Sequence, residues 1–327
     1  MRALVLLSGG LDSLLATRLI QNQGIKVRGI CFSSPFFSSE KGEKASKQLS
    51  ISCKVVDIGK ELISLFPSPP HGFGKGANPC IDCHILMVKK AGFLMQSEKS
   101  SFLITGEVLG ERPKSQNRWA LDVVARESGW GDYLLRPLTA KNLPPTLPEQ
   151  RGWVDREKLF GIKGRSRYTQ LKLAKEFNFK QFPTPAGGCL LTDPNFSRRV
   201  KYILSYHKLT LREAELLKVG RHFCLNHTSR LIVGRNKKEN EQLITLASQG
   251  DVFFQVVNFP GPVALLKGST EEEFILRAAS LTARYSDAPP GAVKVQYYQI
   301  PQKEKRWVQV NPMEEEIVEK LRIEKKL

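Results

Sequence analysis

The sequence predicts an α/β protein in which a doubly wound parallel sheet is followed by a second, smaller α+β domain. In the first part of the chain, short apolar runs alternate with helical patterns, which is typical of βα units. A glycine pair, Gly9 and Gly10, directly follows the first apolar run. Beyond residue 206, strand-like runs and helices follow one another without that regularity. We therefore expect one domain at residues 1–195 and another at residues 207–327.

The elements of the first domain follow from hydrophobic periodicity. Residues 11–22 carry apolar side chains at helical spacing, and residues 3–7 form a short apolar run of strand type. The predicted strands are residues 3–7, 27–32, 54–58, 101–105 and 133–135, and the predicted helices are residues 11–22, 41–49, 59–65 and 81–95. Three prolines and no clear period predict a loop at residues 139–152.

The second domain is predicted from the same signals. A helical pattern at residues 195–206 is expected to link the two domains. The predicted strands are residues 229–233, 252–257, 293–299 and 307–310, and the predicted helices are residues 239–247 and 271–283.

The composition indicates a globular protein of about two domains, since 41% of its 327 residues are hydrophobic and 25% are charged. No apolar run approaches the ~20 residues of a membrane span. The apolar run at residues 3–7 is too short for the core of a signal peptide. We therefore expect a cytoplasmic protein without a membrane partner.

The charge predicts a polyanionic partner. The formal net charge is +18, with +11 up to residue 195 and +7 beyond it. An excess this evenly spread favours nucleic acid over a merely soluble basic protein. Residues 155–175 are especially basic. Two interpretations of this segment are open: a surface that contacts RNA phosphates, or an ordinary solvated helix face. The candidate RNA-binding residues in this segment are Arg165, Arg167 and Lys172.

The stretch Ser8-Gly9-Gly10-Leu11-Asp12-Ser13 lies at the predicted carboxyl end of the first strand, where open parallel sheets bind ligands. Two glycines let the backbone turn tightly beside an anion, and the next helix offers its unpaired N–H groups. Asp12 suits Mg²⁺ rather than phosphate. The pattern predicts a pyrophosphate cradle and is neither a Walker loop nor a dinucleotide fingerprint.

This stretch resembles the loop of the PP-loop ATP pyrophosphatases, which have an adenine nucleotide alpha hydrolase-like fold. The resemblance implies binding of ATP and Mg²⁺ by Ser8, Gly9, Gly10, Leu11, Asp12 and Ser13, and splitting of ATP to AMP and pyrophosphate. A second stretch, ITGEVLGERPKSQ from Ile104 to Gln116, is similar to a loop of the tRNA 4-thiouridine synthetases. It adds Thr105, Gly106 and Glu107 as nucleotide-contacting candidates.

The motif NPCIDCH, residues 78–84, places Cys80 and Cys83 at the predicted start of a helix. A helix N-terminus lowers the pKa of nearby exposed thiols, and we expect that here. Cys189 lies in another glycine turn, PTPAGGC. The pattern is compatible with a zinc site that includes His84, with a persulfide-bearing cysteine and its partner, or with ligands of an iron-sulfur cluster. A histidine directly after the second cysteine is expected to point away from the thiols.

Two cysteines in C-x-x-C plus a remote third resemble the pattern of cluster-dependent tRNA thiolation enzymes. This resemblance implies a 4Fe-4S cluster held by Cys80, Cys83 and Cys189, and makes these residues catalytic together with Asp12. A persulfide and a zinc site remain the alternatives. The other cysteines, Cys31, Cys53 and Cys224, lie in or beside apolar runs, and we expect them to be buried and free.

The second domain resembles the NFACT RNA-binding module. The matching residues are the turn Gly234-Arg235-Asn236, the following Glu239 and Asn240, and the glycine-proline turn 260–262. Gln255 stands where that module has a histidine. The charges predict phosphate contacts by Arg235 and Lys237, and Gly234 is expected at a position of positive φ. A β-hairpin with solvated charges is the alternative.

Taken together, the residues and resemblances predict an ATP-dependent tRNA uridine sulfurtransferase with tRNA and a sulfur donor as partners. Two alternatives stay open: another PP-loop enzyme with a nitrogen nucleophile, and a nucleotide-gated RNA-binding factor without turnover. ITGE favours 4-thiouridine, whereas NPC-x-x-C and PAGGC are similar to the 2-thiouridylases. The oligomeric state and the sulfur donor are not predicted.

Overall fold

The computed structural model describes residues 1–182, 188–302 and 304–326. These residues form two compact units, Met1–Leu190 and Leu191–Leu327. The first unit is an α/β structure and the second is built on an antiparallel sheet, so the predicted fold class is confirmed. The predicted turn at residues 183–187, which precedes Cys189, lies outside the described residues.

The first unit contains a five-stranded parallel sheet with strand order β3-β2-β1-β4-β5. In the central pair, Ala3 is opposite Phe102 and Val5 is opposite Ile104. The strand order reverses direction between β1 and β4, which makes this pair the switch point of the sheet. The strands are β1 (Arg2–Leu6), β2 (Lys26–Ser33), β3 (Cys53–Asp57), β4 (Phe102–Ile104) and β5 (Leu134–Leu135).

Helices cover both faces of this sheet. Ala3 and Val5 of β1 pack into one core with α1 and α7, while Leu4 packs into another with α4 and α5. This alternation follows from the two-residue period of a strand. The helices are α1 (Leu11–Gln21), α2 (Glu40–Gln48), α3 (Gly59–Ser64), α4 (Cys80–Ser97), α5 (Arg118–Ser128), α6 (Leu147–Gln150) and α7 (Tyr168–Glu176).

The expectation that Cys31 and Cys53 are free was wrong, because the structure joins them in a disulfide across neighbouring strands. The register pairs Gly29 with Cys53 and Cys31 with Val55. This brings the two cysteine Cα atoms to 6.6 Å, a separation that a disulfide can span. Their spacing along the sequence does not reveal the pairing. Cys224 is a buried free cysteine, as expected.

The second unit contains a six-stranded sheet with strand order β11-β10-β8-β9-β7-β6, in which every pair is antiparallel. Its strands are β6 (Arg221–Cys224), β7 (Arg230–Val233), β8 (Val252–Val256), β9 (Ala264–Lys267), β10 (Val293–Gln299) and β11 (Arg306–Val310). Its helices are α8 (Pro194–Tyr206), α9 (Leu211–Leu216), α10 (Lys237–Leu246), α11 (Glu272–Arg284), α12 (Glu315–Leu321) and α13 (Ile323–Lys326).

Two cores stabilise the second unit. Helix α11 covers one face of the sheet, with Ala278 and Ala279 buried against β8 and β10. Leu243 of α10 covers part of the opposite face. Helix α8, expected as a linker, begins with Asp193, whose carboxylate accepts a hydrogen bond from the Phe196 amide at 2.8 Å. Side-chain caps of this kind stabilise a helix by about 1 kcal/mol.

No helix among the described residues is both long enough and apolar enough to cross a lipid bilayer.

Candidate functional site

Two of the predicted nucleotide-binding stretches meet at the switch point of the parallel sheet. The stretch from Ser8 to Ser13 follows β1, and the stretch from Thr105 to Glu107 follows β4, its neighbour. Ligands of open α/β sheets bind in the crevice outside the carboxyl ends of the strands at this point. The structure therefore brings the two stretches to the same crevice.

Gly9 allows the first stretch to turn tightly under helix α2. Its φ is +79°, and a Cβ there would lie 2.3 Å from the Lys41 carbonyl carbon. Ser13 Oγ donates a hydrogen bond to the Gly10 carbonyl at 2.8 Å, and the Gly10 amide donates to Ser8 Oγ at 3.3 Å. These bonds close a loop in which Gly9 packs against α2 and Gly10 leaves room for an anion at the start of α1.

Gly106 presses the second stretch against the first. A Cβ on Gly106 would lie 2.5 Å from the Ser13 amide nitrogen and 2.6 Å from the Asp12 carbonyl carbon. The φ of Gly106 is not in the left-handed region, so close approach is what requires glycine here. The loop after β4 is thereby fixed to the first turn of α1.

The Asp12 carboxylate is largely buried in this crevice. Its Oδ1 atom has no hydrogen-bond partner among the described residues. Burial raises the pKa of Asp12, and the neighbouring Arg167 and Arg112 guanidinium groups oppose this shift. An unpaired carboxylate oxygen between cationic groups fits a hard divalent cation such as Mg²⁺, which prefers oxygen ligands. Asp12 thus remains the residue that would hold it.

A basic recess of about 770 Å³ opens beside Gly9. Its wall includes Leu14 of α1, and helix α2 and the segment after α7 contribute three lysines, namely Lys41, Lys44 and Lys180. Three cationic side chains around a glycine loop attract a polyanion. The recess extends the positive charge of the nucleotide crevice.

The cysteines of C-x-x-C lie in the first turn of α4, where the sequence places them. The Asn78 amide donates a hydrogen bond to Cys80 Sγ at 3.0 Å. The thiols are partly buried rather than exposed. Burial raises the pKa of Cys83, and the nearby Cys189 and Cys80 add to the shift. The expectation of a lowered thiol pKa is therefore wrong for Cys83, because desolvation dominates.

Cys189 is electrostatically coupled to Cys83 although 106 positions separate them in sequence. The fold thus brings the three predicted sulfur-site cysteines into one neighbourhood. Within the described residues, no group of three or more histidine, cysteine or acidic side chains is arranged to hold a metal ion. Three thiols are a donor set that suits iron or zinc, but their arrangement in this structure is not that of a formed metal centre.

Polar side chains between and beside the cysteines anchor the start of α4. Asp82 is buried and its Oδ1 atom lies 2.8 Å from His71 Nδ1 in the preceding loop. His84 Nδ1 lies 3.0 Å from Glu107 Oε1. This contact joins the first turn of α4 to the loop after β4. The expectation that His84 points away from the thiols stays a prediction.

Glu107 itself is buried and fully engaged by protein groups. Arg136 Nε donates to its Oε2 atom at 2.8 Å, and Thr105 Oγ1 donates to the same atom at 3.0 Å. Burial alone would raise the pKa of Glu107, but Arg136 and His84 outweigh it and hold the pKa well below its usual range. Both carboxylate oxygens of Glu107 are hydrogen-bonded to protein groups. Glu107 therefore stabilises the loop after β4, and neither oxygen is left without a partner.

In the second unit, the turn Gly234-Arg235-Asn236 leads into α10. Asn236 Oδ1 accepts a hydrogen bond from the Glu239 amide at 3.0 Å and caps the helix. Gly234 was expected at positive φ, which is wrong. A Cβ there would lie 2.1 Å from Asn240 Oδ1, which also accepts from the Val263 amide. Close packing, not backbone conformation, requires this glycine.

The comparisons with protein families match both units. Residues 1–142 match the family described as thiamine biosynthesis protein (ThiI). Residues 220–322 match the family described as NFACT protein RNA binding domain.

One family model thus matches most of the first unit, and another matches most of the second.

Curated relatives match over shorter stretches. A probable tRNA sulfurtransferase of Thermoanaerobacter sp. (strain X514) is 32% identical over 122 residues, which are 34% of this chain and 30% of the relative. The tRNA-specific 2-thiouridylase MnmA of Syntrophomonas wolfei is 33% identical over 90 residues, 26% of each protein. The chain thus spans less than a third of the length of these relatives.

Solved structures resemble the chain only distantly. A structure titled as a predicted subunit of tRNA methyltransferase from Methanocaldococcus jannaschii is 17% identical. It covers 54% of this chain and 76% of its own, with a TM-score of 0.35. A score this low supports no conclusion about the site.

The predicted RNA-binding residues differ in their surroundings. Arg165 and Lys172 of the first unit and Lys237 of the second unit are exposed. Arg167 is only partly exposed and lies near Asp12. Arg235 is held by Glu239, with Nη2 and Oε1 at 2.5 Å. Its guanidinium is therefore partly neutralised, and Lys237 is the freer cation of this turn.

The second unit also exposes an aromatic surface that periodicity did not single out. Val293 and Val295 of β10 are buried in the core, so Lys294 between them points to the opposite face. There Lys294 Nζ lies 5.3 Å from the ring centroid of Trp307, which is 53% exposed. We call Lys294, Gln296, Trp307 and Gln255 the open sheet face. A tryptophan in a strand that alternates with valines is the sequence signal for it.

Proposed function

We propose that this protein is an ATP-dependent tRNA uridine sulfurtransferase. One observation carries the proposal: the nucleotide crevice and the three cysteines belong to the same unit, and the loop after β4 contacts both the glycine turn and the first turn of α4. Gly106 touches the first turn of α1, and the adjacent Glu107 binds His84, which follows Cys83. A nucleotide in the crevice and sulfur at the thiols would therefore be held by one small group of residues.

The first step is activation of a uridine carbonyl oxygen. That oxygen attacks the α-phosphorus of ATP, the α–β bridging bond breaks, and pyrophosphate leaves with its electron pair. The glycine turn and the free amides at the start of α1 bind the departing phosphates, with Ser8 and Ser13 as hydroxyl donors. Mg²⁺, when bound at Asp12, supplies neutralisation of the phosphate charge.

The second step is replacement of the adenylated oxygen by sulfur. A uridine oxygen is a poor leaving group, and adenylation turns it into AMP, a good one. A sulfur nucleophile delivered at Cys80, Cys83 and Cys189 attacks the ring carbon, and the C–O bond breaks to release AMP. Cys80, Cys83 and Cys189 would hold a 4Fe-4S cluster, which would supply a binding site for the sulfur. Without a cluster, a cysteine persulfide carries the sulfur and a second thiol releases it as a disulfide.

The NFACT domain is proposed to bind the tRNA. Its exposed Lys237 and the open sheet face combine cations with an aromatic ring, which suits RNA phosphates and unstacked bases. The exposed Arg165 and Lys172 of the first unit add phosphate contacts nearer the chemistry. The target base must leave its stack to reach the crevice, as in other enzymes that act on a base.

Mass spectrometry of tRNA nucleosides tests the proposal. A strain that lacks the gene should lose one thiouridine, and expression of the wild-type protein should restore it. The identity of that nucleoside separates 2-thiouridine from 4-thiouridine. An unchanged profile contradicts the sulfurtransferase, and in that case ATP-dependent RNA binding without turnover indicates the nucleotide-gated factor.

Anaerobic purification separates the two forms of the sulfur site. About four irons per chain and absorbance near 400 nm indicate the cluster. Thiol-bound sulfur that cyanide releases, with no iron, indicates the persulfide. About one zinc per chain with neither signal contradicts a sulfur-carrying role for these cysteines.

Replacing Trp307 with alanine is expected to weaken tRNA binding about tenfold or more, because stacking on an aromatic ring contributes about 1–3 kcal/mol per base. Fluorescence anisotropy with labelled tRNA at fixed salt measures this. Ile317→Ala is the matched control, since Ile317 is an exposed apolar residue of the same unit that cannot stack. Equal affinities of Trp307→Ala and Ile317→Ala would exclude the open sheet face as an RNA surface.

A further inference from the structure

Two loops that are distant in sequence converge beside Asp12. The Gly164 amide donates a hydrogen bond to the Leu109 carbonyl at 2.7 Å, and residues 109 and 163 form a parallel bridge. A Cβ on Gly110 would lie 3.3 Å from the Gly164 nitrogen. Gly106, at the start of the same loop, contacts Asp12 directly. The segments 106–112 and 162–167 therefore meet at the nucleotide crevice.

The convergence leaves several buried polar atoms unmatched. Asp12 Oδ1, Glu111 Oε2 and Arg167 Nε have no hydrogen-bond partner in the described part of the chain. The same holds for both amide atoms of Gln170, which is fully buried on α7. An unmatched buried group is destabilising, because it has given up its hydrogen bonds to water. Four such side chains around one point indicate that a polar ligand belongs there.

The charges at this point alternate in sign. The Glu111 carboxylate lies within electrostatic reach of the Asp12 carboxylate and of the Arg112 and Arg167 guanidinium groups. The Gln170 side chain lies close to the Asp12 carboxylate. Two carboxylates that repel each other, flanked by two guanidinium groups, suit a divalent cation bound to a polyphosphate.

We infer that Glu111 and Arg167 complete the nucleotide site: Glu111 shares the divalent cation with Asp12, and Arg167 contacts the polyphosphate rather than RNA. Gln170, buried on α7, would place its amide beside the bound ligand. The inference rests on the proposed function in that it takes ATP as the nucleotide. It revises the role of Arg167, which the basic composition of its segment assigned to RNA. Arg165, two positions away and exposed, keeps that assignment.

Paired binding measurements on Arg167 and Arg165 test the phosphate contact. Calorimetry with MgATP should show affinity reduced about tenfold or more for Arg167→Ala, with tRNA affinity within twofold of wild type. Arg165→Ala should show the reverse pattern. Arg167→Lys keeps the charge and should bind MgATP with an affinity between those of wild type and Arg167→Ala. If the alanine variant does not fold, the lysine variant provides the test in its place.

A magnesium titration tests Glu111. At fixed ATP, Glu111→Gln should need about tenfold more Mg²⁺ for half-maximal binding, whereas Glu176→Gln, at an exposed position on α7, should match wild type. MgATP affinity of Arg167→Ala equal to wild type, or a loss of tRNA affinity equal to that of Arg165→Ala, overturns the inference. These readouts do not require thiolation, so wild-type protein that binds MgATP but forms no thiouridine refutes the proposed function alone. Wild-type protein that binds no MgATP refutes both.

Discussion

Replacing Cys83 or Cys189 with alanine is expected to reduce thiouridine formation roughly a thousandfold or more, because residues that act as one unit are nearly all-or-none in effect. Binding of ATP and of tRNA should stay unchanged, since Ser8, Gly10 and Ser13 close the glycine turn after β1 and the open sheet face belongs to the second unit. The measurement is thiouridine formed per chain with purified tRNA, ATP and a sulfide source, alongside the two binding affinities.

Cys224→Ala is the matched control for the cysteine variants. Cys224 is a buried free cysteine in the second unit, where its thiol donates to the Asn226 carbonyl at 3.2 Å. This variant should keep wild-type thiolation. Thiolation that survives simultaneous replacement of Cys80, Cys83 and Cys189 would rule out the sulfur chemistry and favour a nitrogen nucleophile.

Replacing Glu107 with glutamine is expected to lower the free energy of unfolding of the first unit by about 3–5 kcal/mol, because it leaves the charge of Arg136 buried and unpaired. The side chains of both residues are less than a tenth exposed. Urea unfolding followed by tryptophan fluorescence measures the change, since three of the four tryptophans, Trp119, Trp130 and Trp153, lie in this unit.

Asp122→Asn is the control for the Glu107 variant. Asp122 pairs with Arg118 one turn away on α5, and both side chains are about half exposed, so its loss should cost less than about 0.5 kcal/mol. Burial works against the charged form of Glu107, but Arg136 and His84 lower its pKa from 4.5. Its stabilisation is therefore complete above about pH 4.5 and is lost as the pH falls further. Equal losses of unfolding free energy for Glu107→Gln and Asp122→Asn at pH 7 would contradict a stabilising role for the buried Glu107–Arg136 pair.

Local sequence patterns were sufficient to predict most helices and strands of the first unit. The apolar run at residues 3–7 and the helical spacing after it correctly predicted β1 and α1, because both are buried elements with an unbroken period. Helix α5 was not predicted, since its start lies within a polar stretch and depends on a cap. Asn117 Oδ1 accepts from the Ala120 amide at 2.8 Å, and Gly129 ends the helix at φ +76°.

The candidate site was predictable only where one short segment carries the signal. Gly9 and Gly10 predict an anion-binding turn, because a tight turn beside an anion requires residues without side chains and this requirement is visible in the sequence. The position of Arg167 depends instead on a contact between loops some fifty residues apart, and its charge alone suggested RNA. The Cys31–Cys53 disulfide likewise follows from strand register, which composition cannot reveal.

The contacts from Ser13 through Gly106 and Glu107 to His84 set the distance between the start of α1 and the first turn of α4. Each step is a van der Waals contact, a hydrogen bond or a peptide bond, so the span from the start of α1 to the first turn of α4 is nearly fixed. An adenylated oxygen and an incoming sulfur held by this one support would be ordered before they react, which lowers the entropic cost of the reaction. Solvent would then have little opportunity to hydrolyse the adenylate before the sulfur arrives.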